Sequence, residues 1–376
     1  MTNFSDKAIH IVSFQVPYPP DYGGVIDVFY KIKAFADVGV KVHLHCFAYG
    51  REQSTVLEEI CASVTYYERK KFYQAIYSSV PYIVGSRKSG ELLANLVGDD
   101  FPVLFEGLHT CFYLSHPALK NKRKVVRMHN VEWDYYKQLG NSERNYLFKF
   151  YYNIESHRLK KFEEQLKHAD ATFAVSLSDY NYLADSYKNI YYVPSFHPNE
   201  TLTTIEGKGN YILYHGNLSV AENIQAAVYI CKKIAPKLNV PIIIAGKDPS
   251  KIVVEEAKKL RNVSLVMNPS DESLYDLIKN AHINFLITFQ NTGLKLKLLN
   301  ALHRGRFVVV NSKMVEHSGL EDLCIVENET ANQINTLKEL MEQSFTSEQL
   351  TKRAELLNHS FSNRENVLKM ANAIWI

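Results

Sequence analysis

The sequence predicts an α/β protein with two parallel-sheet domains of Rossmann type, on three observations. Strand-like and helix-like segments alternate along nearly the whole chain, the pattern that places parallel strands inside and helices on both faces. The alternation stops once, in a stretch carrying prolines and glycines, and then restarts. The 376 residues are long for one domain and suit two of ordinary size.

Strand-like runs begin near Ala8, Lys41, Val64, Val103, Lys124, Ala171 and Ile190. Helical patterns lie between most of them, including a long one from about Ser142 to His168. The run Tyr192-Val-Pro-Ser-Phe-His-Pro-Asn-Glu closes this set with two prolines, and the polar stretch Thr201 to Asn210 carries Gly207 and Gly209. We therefore read 1–193 as an N-terminal domain, 194–209 as a hinge linker and 210–355 as a second domain. Strands resume near Tyr211, Pro241, Val263, Ile283, Phe307 and Cys324. The tail after Ser347 is helical, with 356–376 as a final helix.

Composition excludes several classes. The net charge of +3 is too small to argue for nucleic acid. Residues 1–193 hold 23 basic and 21 acidic side chains, which supports local patches and no strongly attracting domain. Five cysteines, an odd number without metal-ligand spacing, read as reduced thiols of a cytoplasmic protein. The start of the chain lacks the basic-then-apolar pattern of a secretory signal, and no apolar run reaches membrane-spanning length. No Asp-x-Asp pair, nucleophile elbow or His-Glu-x-x-His string is present.

Candidate site residues sit where strands end. In the stretch from Asn291 to Asn311, a turn at Gly293 leads into a helix bearing Leu294, Leu296, Leu298, Leu299 and Leu302. Gly305 ends that helix before the apolar run Phe307 to Val310. A helix start after a glycine turn offers unpaired N–H groups and the positive end of the dipole to an anion, and Lys295 and Lys297 add ammonium groups. An ordinary amphipathic helix with solvated lysines has the same pattern. Tyr214-His-Gly-Asn-Leu-Ser-Val-Ala-Glu-Asn opens the second domain, with Ser219 as candidate cap and Gly216 and Asn217 as a diphosphate cradle. Ile243-Ile-Ala-Gly-Lys-Asp-Pro makes a second glycine turn bearing Lys247.

In the first domain, Pro17-Tyr-Pro-Pro-Asp-Tyr-Gly-Gly-Val places Gly23 and Gly24 before a helix. It lacks the spacing of a nicotinamide fingerprint. Leu104-Phe-Glu-Gly-Leu-His109 and Val125-Val-Arg-Met-His-Asn-Val-Glu deliver Glu106, His109, Arg127, His129, Asn130 and Glu132 to strand ends, where ligands bind in open α/β sheets. Two basic stretches, Arg69-Lys-Lys-Phe-Tyr-Gln-Ala-Ile-Tyr and Lys120-Asn-Lys-Arg-Lys, read either as solvated surface or as a dock for anionic lipid.

These motifs resemble, in order and spacing, the family 4 glycosyltransferases. The Arg-x-His-Asn-x-Glu string looks like that family's first-domain signature. Gly293, Lys297, Ala301, Gly305 and Val308 to Val310 keep the pattern of its sugar-nucleotide helix, with Asn300 where a glutamate is usual. Asn217 and Glu222 stand where the common form carries arginine and lysine, while Asn223 fits a subset lacking both. The resemblance implies a GT-B fold: two Rossmann-like domains with parallel sheets facing a central cleft and a last helix crossing back onto the first. It implies retaining transfer of a hexosyl unit from a nucleotide-diphosphate sugar to a glycan or lipid-linked acceptor, with no metal and no other cofactor. His129 and Lys297 then stand as the catalytic residues. Gly23, Gly24, Gly216, Asn217, Lys247, Gly293, Leu294, Lys295 and Asn300 contact the donor. Peripheral contact with the inner membrane surface and the absence of a nucleic-acid partner complete the expectation. A non-transferring nucleotide-sugar binder and a sugar-nucleotide 2-epimerase share the fold.

Overall fold

The computed structural model describes residues 4–72, 80–143, 145–289 and 296–376. They form two compact units, Met1–Pro198 with Ser360–Ile376, and Asn199–His359. Each unit is a parallel sheet flanked by helices.

The first sheet has seven strands: β1 (Ala8–Ser13), β2 (Lys41–Ala48), β3 (Ser63–Glu68), β4 (Val103–Glu106), β5 (Lys124–Met128), β6 (Ala171–Ala174) and β7 (Ile190–Tyr192). Their order is β3-β2-β1-β4-β5-β6-β7, all parallel. Successive side chains of one strand feed opposite faces. Thus Ile11, Leu104, Val125 and Phe173 enter one apolar layer, while Val12, Phe105, Val126 and Ala174 enter the other. Near-continuous apolar runs are what burial on both faces demands.

The helix Gly23–Asp37 crosses from β1 to β2 and buries Val25, Val28, Phe29, Ile32 and Phe35, a spacing that keeps one helical face inward. The helix Asn363–Trp375 returns to this unit and sets Val367, Met370, Ala371 and Ile374 into the same layer. Ser362 caps it by accepting from the Glu365 N–H. Burying its Val, Met and Ile side chains is worth about 1.5–3 kcal/mol each.

The second sheet has six strands: β8 (Ile212–His215), β9 (Ile242–Gly246), β10 (Val263–Met267), β11 (Ile283–Leu286), β12 (Phe307–Val310) and β13 (Ile325–Val326). The order is β10-β9-β8-β11-β12-β13, again parallel throughout. The stretch read as a hinge, 194–209, divides between the units. Val193 and Pro194 offer their carbonyls to Arg127. From Asn199 onward the chain is tied to the second unit, through Thr204 to the Gly305 carbonyl and Gly207 to Phe345.

The long helical pattern read from about Ser142 to His168 forms the helix Tyr146–Phe162, which continues into a 3₁₀ turn over Glu163–His168. A separate helix, Glu132–Ser142, precedes it. The two pack together through Gly140 against Tyr152 and a Tyr136–Tyr152 ring contact.

Candidate active-site residues

In the second unit the C-terminal ends of β8 and β9 are locked together. A Cβ on Gly246 would fall 1.8 Å from the Gly216 carbonyl oxygen, so the two turns touch backbone to backbone. The Leu218 N–H donates to the Lys247 carbonyl at 2.8 Å, while the Lys247 side chain lies exposed. Asp248 and Asn268 adopt positive φ, a region these short polar side chains tolerate, and the Asp248 N–H donates to Asn268 Oδ1.

Asn223, near the start of the helix Ala221–Tyr229, is the hub of this corner. Its Nδ2 donates to the Asn217 carbonyl at 2.9 Å and its Oδ1 accepts from Lys297 Nζ at 2.8 Å. Its side chain lies 3.1 Å from the place a Gly216 Cβ would occupy. Lys297 also stands 5.3 Å from the Tyr214 ring centroid, a cation–π distance. Helix and loop therefore hold one ammonium at the strand ends.

Three polar substitutions have internal duties. Asn217 Oδ1 accepts from both the N–H and the hydroxyl of Ser219, which closes the loop as an Asx turn. Ser219 is not the helix cap: Val220 holds that position, with no side-chain bond. Glu222 accepts from the Thr288 hydroxyl at 3.3 Å. Asn300 Oδ1 accepts from Asn199, whose own Oδ1 accepts from Arg304. Gly293, Leu294 and Lys295 lie outside the described residues.

Sequence reasoning passed over His215, the last residue of β8. Burial, helped by the Lys297 charge, lowers its pKa to about 3, so the ring is neutral. Its Nε2 is buried with no hydrogen-bond partner among the described residues. The one signal was its place directly before Gly216.

In the first unit the strand ends carry a closed set of charges. Arg127 clasps Asp27 through Nη2 at 2.8 Å and Nε at 3.2 Å, and Lys31 Nζ lies 2.8 Å from Asp27 and 2.9 Å from Glu106. His129 Nε2 sits 2.9 Å from Glu106 and its Nδ1 3.7 Å from Asp27. Burial alone would raise the Asp27 pKa. The Arg127 and Lys31 charges outweigh it and hold the carboxylate well below the usual range. Arg127 was expected at the ligand end of its strand. It is instead fully buried and also donates to the Val193 and Pro194 carbonyls, an internal tie between β5 and the segment after β7. Asp27 and Lys31 were missed. Their signal was an i,i+4 ion pair on the apolar face of a helix.

The donor atoms of Asp27, Glu106 and His129 lie within 4.8 Å of one another. Lys31 already supplies the cation to both carboxylates, so the set does not fit a metal ion.

Gly23 opens the first helix. Gly24 is covered: a Cβ there would lie 3.0 Å from the Phe14 ring. Phe14 in turn packs against His109 and edge-on against His129. Gly107, at φ +68°, turns the chain where a Cβ would stand 2.8 Å from His109 Nδ1. Beyond it, His109 Nδ1 and Glu132 Oε1 are 3.8 Å apart, both buried and without a hydrogen-bond partner among the described residues. Burial lowers the His109 pKa well below its usual value. Burial, with Asp179 nearby, raises Glu132 to about 8 against the Asn130 hydrogen bond.

In the basic stretch Lys120-Asn-Lys-Arg-Lys, three of the four cations are engaged within the unit. Lys122 donates to Asp99, Arg123 to the Ala373 carbonyl, and the buried Lys124 to the Leu114 carbonyl. Arg69 is packed between Tyr49 and Tyr82. Residues 73–77 of the other stretch lie outside the described residues.

Known proteins define the class to which this architecture corresponds. Residues 209–343, nearly the whole second unit, match the family described as Glycosyl transferases group 1. A Klebsiella pneumoniae protein, described as an uncharacterized 44.6 kDa protein in the cps region, is 27% identical and covers 85% of this chain and 88% of its own length. A S. aureus TarM variant, solved with fondaparinux, alpha-GlcNAc-glycerol and UDP, is 11% identical at a TM-score of 0.66, covering 98% of this chain and all of its own. WaaG, a glycosyltransferase involved in lipopolysaccharide biosynthesis, is 13% identical at a TM-score of 0.63, covering 98% of this chain and 99% of its own. The fold is GT-B, with two Rossmann-like units.

Proposed function

We propose that this protein is a family 4 glycosyltransferase of the subset lacking the usual basic pair. On this reading it moves a hexosyl unit, with retained configuration, from a nucleotide-diphosphate sugar to a hydroxyl of a glycan or lipid-linked saccharide in polysaccharide biosynthesis. The reaction proceeds without a metal, in the cytoplasm and beside the inner membrane surface. The observation that carries the reading is Lys297, fixed by Asn223 beside the paired Gly216 and Gly246 turns in the unit that matches the glycosyltransferase family.

As the bond from the sugar to the diphosphate breaks, negative charge grows on the leaving phosphate. Lys297 and the backbone N–H groups of the Gly216 loop stabilise that charge. The donor contacts extend to Gly23, Gly24, Asn217, Lys247, Gly293, Leu294, Lys295 and Asn300. In the first unit Glu106 orients His129 through Nε2, and His129 holds the transferred sugar. UDP in the TarM complex and the cps-region relative support a nucleotide donor and a polysaccharide setting.

The test is turnover by Lys297→Ala. Release of nucleotide from the donor in the presence of an acceptor pool should fall about a hundredfold or more, with the thermal transition unchanged. Wild-type turnover removes the phosphate role. A second reading, binding of a nucleotide sugar without transfer, is favoured by the internal engagement of Asn217, Glu222 and Asn300. Under it, UDP, GDP, ADP, CMP or a sugar conjugate of one raises the melting point, yet no acceptor releases nucleotide.

A further inference from the structure

Two arginines of the first unit lie outside its closed set of charges. Arg69 directly follows β3, and its guanidinium sits 4.6 Å from the Tyr49 ring centroid and 5.1 Å from that of Tyr82. Its Nε donates to the Ser86 hydroxyl at 3.0 Å, which brings it beside the next residue, Arg87. Arg87 is 6% exposed, its Nε donating to the Phe14 carbonyl at 2.9 Å and its Nη1 to the Ile83 carbonyl. These bonds fix both side chains. They leave the Nη groups of Arg69 and the Nη2 of Arg87 without a hydrogen-bond partner among the described residues.

The two charges are unmatched. Arg127 in the same unit has Asp27, but no carboxylate pairs with Arg69 or Arg87 among the described residues, which include every Asp and Glu of the chain. The acids nearby are engaged elsewhere. Asp21 pairs with Arg51, Glu155 accepts from the Tyr82 N–H and pairs with Arg158, and Glu106 takes Lys31 and His129. Glu68 is exposed and makes no ion pair with Arg69. Burial raises the Glu132 pKa to about 8, so this carboxyl is uncharged at neutral pH. Burial, then the Arg69 charge, lowers the Arg87 pKa to about 9. Like charges held together out of water carry a cost that a bound anion relieves.

The surroundings suit a sugar. Tyr49 is 58% exposed and Tyr22 44%, and Gln15 joins them by donating to the Tyr49 carbonyl and accepting from the Tyr22 hydroxyl. An exposed tyrosine offers an apolar ring face to the C–H side of a sugar and a hydroxyl at its edge. Phe14, Tyr49 and Arg69 each directly follow one of the neighbouring strands β1, β2 and β3, the end where ligands bind in such sheets. The Phe14 ring packs 5.4 Å from that of His129, so the arginines share a surface with the histidine assigned to the transferred sugar.

We infer that Arg69 and Arg87 form an acceptor subsite for an anionic saccharide, the carboxylate of a hexuronic acid or a phosphate resting on the guanidinium groups and a sugar ring on Tyr49. An arginine fork matches either oxyanion. The inference rests on the transferase reading above and adds to it the charge of the acceptor.

The test is isothermal titration of the full chain with a neutral disaccharide, the same disaccharide ending in a hexuronic acid, the same disaccharide carrying a phosphate, and inorganic phosphate. At least one anionic disaccharide should bind about tenfold or more tightly than the neutral one, and its binding should weaken in high salt. The tighter of the two names the source of the charge. Arg69→Gln should lose about tenfold for that ligand and keep the wild-type thermal transition and nucleotide-induced shift. Equal binding of the three disaccharides, no binding of any, or undiminished binding by Arg69→Gln overturns the proposal. So does inorganic phosphate binding as tightly as the anionic sugars, which assigns the arginines to a free anion. If Arg69→Gln lowers the thermal transition, the four ligands compared on the wild-type chain decide. Titration is read without donor, so nucleotide release with a neutral acceptor alone would keep the transferase reading and end this one.

Discussion

The two units treat charge at their strand ends in opposite ways. In the first, Asp27, Lys31, Glu106, Arg127 and His129 form a buried set in which the two carboxylates are matched by a lysine and an arginine. In the second, backbone contact between Gly216 and Gly246 shapes the corner, and among the described residues Lys297, hydrogen-bonded to Asn223, brings an ammonium group to it. The contrast teaches that strand-end charges are settled in two ways, by ion pairs within a buried set or by a hydrogen bond to an asparagine beside touching backbone turns.

The comparison breaks most sharply at Asp27. Asp27→Ala leaves Lys31, Arg127 and the Phe196 N–H buried without their acceptor. It should cost about 3–5 kcal/mol of first-unit stability, read as an early transition in urea unfolding. A loss below about 1 kcal/mol would mean that the set is not closed. Gly246→Ala should come next, at about 3 kcal/mol in the second unit, because its methyl has no space beside the Gly216 carbonyl. The unfolding midpoint of that unit checks it. Lys297→Ala should show the reverse pattern, a hundredfold or larger loss of transfer with stability held within about 0.5 kcal/mol. An equal loss of stability from Asp27→Ala and Lys297→Ala would erase the distinction.

The smallest effect sharpens the comparison by pH. Glu132 lies outside the closed set, and its folded pKa of about 8 exceeds the ordinary value of 4.5. Its contribution is therefore fully present below 4.5 and is lost as pH rises through 8. Glu132→Gln should remove that loss and make the protein about 2 kcal/mol more stable than wild type at pH 6, with little difference at pH 4.5. Urea unfolding at the two pH values checks it. A gain independent of pH would place its cause outside this carboxyl.

Much of the fold was legible because burial on both faces of a parallel sheet leaves a strong local mark. Thirteen apolar runs became thirteen strands, each starting within a residue of its expected place. Asn223 and Lys297 were both visible as motif positions, though their hydrogen bond was not. What local pattern does not encode is partnership across distance. Arg127 looked like a ligand residue until Asp27, a hundred positions earlier, took its guanidinium. Lys122, Arg123 and Lys124 looked like a surface patch until Asp99, Ala373 and Leu114 engaged them. The ring contact of Tyr136 with Tyr152, which joins two neighbouring helices, was likewise not legible in local periodicity.

The helix Asn363–Trp375 belongs to the first unit but is separated from the rest of it by all of the second. On the ribosome the nested unit, Asn199–His359, is complete before the surrounding one. The layer awaiting Val367, Met370, Ala371 and Ile374 stays uncovered while the intervening residues are made, roughly ten to thirty seconds at ordinary elongation rates. Synthesis therefore closes this molecule from the inside outward, against the usual order in which the first domain made is the first to fold. A nascent chain released before Trp375 keeps its apolar layer open to aggregation.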